Sequence, residues 1–253
     1  MSREVRTRKK RARLSPLTVI GELLFMGGLI VVGYLVWQPW YTTTVVVGQQ
    51  VELSAQASAQ LRANAAQMPD ESNDAGEIPV AAAAPENEIF GVIYIPSFGS
   101  SFANVLAEGT SPRAVLNAGD KGVGRYEQTQ LIGEPGNIAL AGHRSGPFTT
   151  PFKDIMSLRL NDPIYIETAD GWYTYRFRSL EYVLPEETDV LQPFPRLEGT
   201  PGTDRILTLT TCHPENWSIA ERAIAYSVFE EFRPASEGPP PELAAVNSAV
   251  TKV

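Results

Sequence analysis

The sequence predicts a mostly β fold, a closed or nearly closed barrel, standing behind a single apolar N-terminal helix and a spacer. Three observations lead there. Short runs of alternating apolar and β-branched residues recur between Pro, Gly and Asp turn signals from Ile89 onward. Helical periodicity is sparse over the same region, as expected of a barrel of short strands. Near the N-terminus, one apolar run follows directly on a cluster of basic residues.

That basic cluster is the leader, residues 1–15. It holds seven Arg or Lys (Arg3, Arg6, Arg8, Lys9, Lys10, Arg11, Arg13) and one acid, and subtracting its six net positive charges from the total of −8 leaves the rest of the chain at −14. The acidic body argues against a phosphate backbone as partner, so nucleic acid is set aside. The apolar run extends from about Leu17 to Trp37, with Thr18 and Glu22 as its polar members. A helix of about 20 residues crosses the hydrocarbon core, and residues 16–38 are expected to form an uncleaved transmembrane anchor. The positive flank places the leader in the cytoplasm, and Trp37, Trp40 and Tyr41 suit the opposite interface. The localisation expected is a single-pass cell-membrane protein with its folded domain outside. A cleaved signal peptide is the rival reading. It fits less well, because the run exceeds the usual ~7–15 apolar residues and no small-x-small site follows promptly. The single cysteine excludes an intramolecular disulfide.

Residues 39–86 turn Ala- and Gln-rich and then acidic. AQASAQLRANAAQ is built of helix formers, and PDESNDAGEIPVAAAAPENE has the composition of a disordered spacer. The two together read as an extracellular stalk. Residues 87–234 are expected to be the folded domain, with strands around Phe90–Tyr94, Phe102–Leu106, Asn137–Ala141, Pro163–Thr168, Trp172–Tyr182, Arg205–Thr211 and Arg222–Glu230. Asp170-Gly171 between two alternating runs signals a hairpin. Phe152–Leu160 is the best short helix, with Ile155, Leu158 and Leu160 as its apolar residues. The Pro-rich remainder, residues 235–253, reads as a flexible tail.

Cys212 ends the alternating run Arg205–Thr211. A free cysteine is often a small, inert core residue, so its position alone leaves structural and chemical readings open. His143 follows the strand-like NIALA, where a strand end meets a loop and a base or acid can serve a site at a barrel mouth. His213 is adjacent to Cys212 but, on an extended strand, points to the opposite face. Arg222 follows Cys212 by ten residues, enough for a turn and a return strand. Its guanidinium either aims donors at an oxyanion or forms an ordinary surface pair with Glu215 or Glu221. Zinc fits poorly, because a structural site wants four ligands and usually paired cysteines. No metal and no cofactor is expected. The order histidine, then cysteine at a strand end, also differs from a papain-like arrangement, where the cysteine comes early at a helix start.

Three blocks in this order, PGNIALAGHRSGPF (135–148), LTLTTCHP (207–214) and ERAIAY (221–226), resemble the histidine, cysteine and arginine motifs of the sortases, membrane-anchored cysteine transpeptidases of Gram-positive bacteria. The resemblance covers about residues 87–232. It implies an eight-stranded sortase-like β-barrel with His143, Cys212 and Arg222 as catalytic residues. TLTTCHP is similar to the class E sortases of actinobacteria, which favour a Leu-Ala-x-Thr-Gly signal over Leu-Pro-x-Thr-Gly. Tyr126 and Thr129 match aromatic and threonine positions ahead of the histidine motif and, with Thr211, are the substrate-binding candidates. No proline stands between Tyr126 and Thr129, unlike most members, and no AspPro-aromatic lid of the pilus-polymerising class C precedes the barrel. The partners implied are secreted proteins with C-terminal sorting signals, a peptidoglycan precursor amine, and the cytoplasmic membrane through the anchor. Two other readings stay open: a membrane-tethered β-domain that only binds a surface partner, and a cysteine peptidase without transfer activity.

Overall fold

The computed structural model describes residues 15–41, 47–66, 77–146, 148–215 and 220–250. These fall into two units, divided between Val45 and Val46. In the first, α1 (Pro16–Tyr41) contains an apolar stretch, Pro16–Trp37, long enough to cross a membrane. All of its described side chains are solvent-exposed. The basic leader expected at residues 1–15 lies outside the described residues except for Ser15.

The second unit is built on eight strands: β1 (Ile89–Tyr94), β2 (Asn104–Glu108), β3 (Val123–Arg125), β4 (Gly136–Gly142), β5 (Pro163–Glu167), β6 (Gly171–Val183), β7 (Arg205–His213) and β8 (Glu221–Pro234). They close into a barrel, as the sequence predicts, and their order around it is β1-β2-β3-β4-β7-β8-β6-β5. Two neighbouring pairs, β2/β3 and β4/β7, run parallel, and the other pairs are antiparallel. The side-chain period of two along a strand divides inside from outside. Ile138, Leu140, Leu207, Leu209, Ala223 and Ala225 line the interior with Ile93, Leu106, Ile166, Tyr173 and Tyr175. The intervening residues of β4, β7 and β8 face outward, where Val183, Val190 and Ile224 make a smaller apolar cluster under the β6–β7 connection.

The sequence reading places seven of the strands and omits β3, whose three residues Val123, Gly124 and Arg125 carry no alternation. Gly124 is needed there, since a Cβ would come within 2.1 Å of the Gly109 carbonyl oxygen. The β5–β6 hairpin forms as expected, with the Thr168 amide bonded to the Gly171 carbonyl. The helix expected over 152–160 shrinks to one 3-10 turn at Ile155–Ser157. Ile155 and Leu158 are buried, while Leu160 is exposed.

Two segments read from the sequence as peripheral are packed on the barrel. The stalk expected at 39–86 contains α2 (Val47–Ala65), whose Val51 and Leu61 join Val92, Tyr94, Tyr165 and Trp172 in a second apolar cluster. It docks largely through polar side chains. Ser58 donates to Glu167 at 2.8 Å, Arg62 to the same carboxylate at 3.1 Å, and Tyr94 to its other oxygen at 2.8 Å. The acidic part at 67–76 lies outside the described residues. The tail expected at 235–253 contains α3 (Pro241–Val246), and Leu243, Ala249 and Val250 are buried in the same cluster. Asn247 fixes its end by donating to the Phe102 carbonyl at 2.8 Å. A flexible tail is therefore not what residues 235–250 form: three apolar side chains give the segment a seat on the barrel.

Candidate active site

The parallel pairing of β4 with β7 decides where the chemistry-bearing residues meet. Register runs from Gly136 opposite Arg205 to Ala141 opposite Thr210. One further step of two residues brings His143 level with Cys212. Because the strands are parallel, both leave the sheet at the same barrel end. On the other side of β7, Cys212 is directly paired with Arg222 of β8. Cys212 has the parity of the outward Thr208 and Thr210, His143 that of Asn137 and Ala139, and Arg222 that of Ile224. The three candidates thus stand at one end of three adjacent strands, Cys212 and Arg222 on β7 and β8 and His143 directly after β4, and all three are partly exposed.

His143 is held from two sides. Its Nε2 lies 2.7 Å from Oδ1 of Asn117, at the end of the short helical turn Pro112–Leu116, and its ring stacks on Phe148 with centroids 5.7 Å apart. An amide oxygen can only accept, so Nε2 carries the proton and Nδ1 is free to take one in the neutral ring. Burial holds the His143 imidazole below its ordinary range. Cys212 is a free thiol. Arg222 turns back to donate to the Glu221 carbonyl at 3.1 Å.

The substrate-binding candidates divide. Tyr126 lies on the Cys212 face, its hydroxyl 3.1 Å from that of Thr210. Thr129 is buried and bonded into its own turn, donating to the Tyr126 carbonyl at 2.7 Å and accepting from the Ala139 amide at 3.2 Å. Thr211 points into the barrel, opposite to Cys212, and donates to the Gly142 carbonyl at 2.7 Å. The hydroxyls of Thr129 and Thr211 are both bonded to backbone, so each also braces the chain beside the site. His213 also faces inward, packed on Tyr182 with centroids 4.1 Å apart and 2.7 Å from a guanidinium nitrogen of Arg144. Among the described residues, no group of three His, Cys, Asp or Glu side chains is placed to hold a metal ion.

Sequence reasoning missed Asn117 and Phe148, which contact His143 from loops of no regular pattern. It also missed the wall beside the site. There Asn137 donates to the carbonyls of Val190 and Gln192 at 3.0 and 3.1 Å and accepts from Thr208 at 2.6 Å. This ties the turn Thr188–Leu191 over the outer face. Arg196 gathers Glu181, Glu187 and Asp189 at 2.9–3.0 Å behind that turn.

The sequence matches the family model described as Sortase domain over residues 93–230. Sortase SrtE1 of Streptomyces coelicolor is 31% identical over 95% of this chain, which spans 65% of the length of that relative. Among solved structures, SrtA sortase from Actinomyces oris is 33% identical with a TM-score of 0.59, covering 66% of this chain and 93% of the other. A crystal structure of sortase E1 from Streptomyces coelicolor with tripeptide in the active site is 34% identical with a TM-score of 0.56, covering 64% and 99% respectively.

Proposed function

The chain belongs to the sortase family of cysteine transpeptidases, and on that premise we propose that it cleaves a C-terminal sorting signal of secreted proteins between Thr and Gly and transfers the new acyl end to a cell-wall amine. The observation that supports the proposal is the convergence of His143, directly after β4, with Cys212 on β7 and its ladder partner Arg222 on β8 at one barrel end.

Neutral His143 takes the proton of the Cys212 thiol, and the resulting thiolate attacks the Thr carbonyl, forming a C–S bond and a tetrahedral oxyanion. Arg222, one ladder position away, supplies fixed donors to that charge. Collapse breaks the Thr–Gly bond; protonated His143 gives its proton to the departing glycine amine and becomes neutral, leaving a thioacyl-enzyme. The incoming amine then attacks the thioester, neutral His143 takes its proton, and the thiolate leaves. Water in place of the amine gives hydrolysis. The resemblance of TLTTCHP to the class E motif favours Leu-Ala-x-Thr-Gly over Leu-Pro-x-Thr-Gly, and a peptidoglycan precursor is the acceptor proposed. The α1 helix would anchor the enzyme with its N-terminus cytoplasmic and its barrel at the outer surface.

The test is incubation of the full chain in detergent with a fluorogenic Leu-Ala-x-Thr-Gly peptide, with and without an amine nucleophile. Cleavage should accelerate or yield ligated product when amine is present, and Cys212→Ala should abolish both. Cleavage that persists in Cys212→Ala refutes the mechanism, cleavage without ligation leaves a peptidase, and no cleavage refutes the substrate reading; a Cys212 that then also alkylates no faster than a free thiol leaves a binding domain.

A further inference from the structure

We infer that Arg144 and His213, the residues immediately following the proposed catalytic histidine and cysteine, form a clasp that positions those two against each other; this rests on the reading of His143 and Cys212 given above. Neither touches the reacting face. Both point inward at the barrel mouth, behind the site.

The clasp is one rung of a series. Thr211 donates to the Gly142 carbonyl at 2.7 Å, Arg144 meets His213 at 2.7 Å, and the Ser145 hydroxyl donates to the Glu215 carbonyl. These rungs bracket the level at which His143 and Cys212 lie side by side. Beyond Gly142 and His213 the two strands end, so main-chain pairing no longer fixes the spacing there. Side-chain bonds take over.

Arg144 is an odd residue to bury for stability. It is 7% exposed, its Nε has no hydrogen-bond partner, and among the described residues it has no ion pair. An uncompensated guanidinium is costly to desolvate, and the partner it does have is a neutral nitrogen. Donation to Nδ1 requires that nitrogen to be unprotonated, which fixes His213 as the neutral Nε2–H tautomer. The Tyr182 ring, itself bonded through its hydroxyl to Met156 Sδ at 3.7 Å, holds the imidazole plane from β6. Glu221 is the ladder partner of His213, and Glu215 lies two residues on. A clasp so built sets the separation and angle of the two neighbouring backbones, and a displacement of about 1 Å in such a pair is worth on the order of a hundredfold in rate.

The experiment uses the full chain in detergent and the variants Arg144→Met, His213→Phe, both together, and His213→Asn. Phenylalanine keeps the ring against Tyr182 and loses the acceptor; asparagine keeps an acceptor near the Nδ1 position. Each of the first two should lower kcat for the fluorogenic peptide by roughly ten- to a hundredfold with little change in KM. The double variant should be no worse than either single, and His213→Asn should retain most of the rate. The Tm of Arg144→Met should stay level or rise, since a buried charge has been removed. Additive losses, an unchanged kcat in Arg144→Met, or equal damage from His213→Asn and His213→Phe overturns the clasp. The rate of Cys212 alkylation by iodoacetamide against pH needs no peptide substrate. A wild-type chain that fails to cleave the peptide refutes the substrate reading alone, whereas an Arg144→Met alkylation profile identical to wild type refutes the clasp alone.

Discussion

Cys212 stands directly opposite Arg222 in the β7–β8 ladder, the last residue pair but one before the two strands part. Paired residues on neighbouring strands share a face and have Cβ atoms about 5 Å apart, so the arginine side chain starts next to the thiol and within reach of it. Arg222→Ala should lower kcat for peptide cleavage by about 10²–10³, the usual effect of removing one oxyanion donor. Arg222→Lys should recover part of it, as a point charge without the planar fork. Steady-state kinetics of both variants check this. An unchanged kcat in Arg222→Ala would remove the residue from the oxyanion role.

His143 should titrate below the ordinary histidine value of about 6.5, and so be neutral in the free enzyme at pH 7. The cause is desolvation, to which Phe148 contributes by covering one ring face. Phe148→Ala should therefore move the imidazole midpoint up. Asn117→Asp, by setting a carboxylate where an amide oxygen now lies 2.7 Å from Nε2, should move it up further. NMR titration of the ring proton reads both. The linkage to folding follows in sign. With the folded midpoint below the unfolded one, the unfolded chain binds the proton first as pH falls. The stability associated with neutral His143 is therefore full above about pH 6.5 and declines between there and the folded midpoint.

Arg125 and Glu108 form a bidentate pair on the parallel strands β3 and β2, with contacts of 2.7 and 2.9 Å and side chains each 7% exposed. Arg125 also donates to the carbonyls of Tyr126, Thr129 and Gln130, which fixes the turn that presents Tyr126. Glu108→Ala leaves a buried guanidinium with only those carbonyl acceptors and should cost about 3–5 kcal/mol of unfolding free energy. Urea denaturation measures it. A loss no larger than that of an exposed pair, about 1 kcal/mol or less, would mean that water reaches the site.

Arg196 holds the β6–β7 connection through three carboxylates, and Tyr226 adds a 2.7 Å hydrogen bond to Glu181. These groups are partly exposed, so their attraction is screened by salt. Arg196→Ala should raise KM for the peptide by roughly two- to fivefold, in line with weak exposed pairs, and leave kcat nearly unchanged. Wild-type KM should drift upward with added salt and the variant's should not. Equal salt dependence in both would separate the network from substrate binding.

The parts of this molecule legible in its sequence are those with a period. Seven strands declared themselves by alternation, and the same alternation turned His213 away from Cys212, as the inward packing on Tyr182 bears out. The motif order brought His143, Cys212 and Arg222 forward before their register was known. What had no period was missed. β3 is three residues long, and Asn117 and Phe148 sit outside the strands and α-helices. The most instructive miss is α2. Its buried stripe, Gln50, Val51, Ser54, Ser58 and Leu61, is polar at three of five positions, so a search for an apolar helical face passes over it.

That polar stripe carries a prediction of its own. Glu167 is 1% exposed and receives three donors, two of them from α2. A chain beginning at Val46 keeps all three, whereas one beginning at Glu77 leaves the carboxylate with Tyr94 alone and uncovers Trp172. The shorter form should lose roughly 2–5 kcal/mol of unfolding free energy, the scale for a buried charge stripped of partners. Part of that loss should return in the Glu167→Gln variant of the shorter form, because the uncompensated charge is gone. Equilibrium denaturation of the two truncations, each with and without Glu167→Gln, measures the coupling. Equal midpoints for the two truncations would make residues 47–65 a spacer after all. A lower midpoint that Glu167→Gln does not relieve would assign the loss to Val51 and Leu61 instead of the carboxylate.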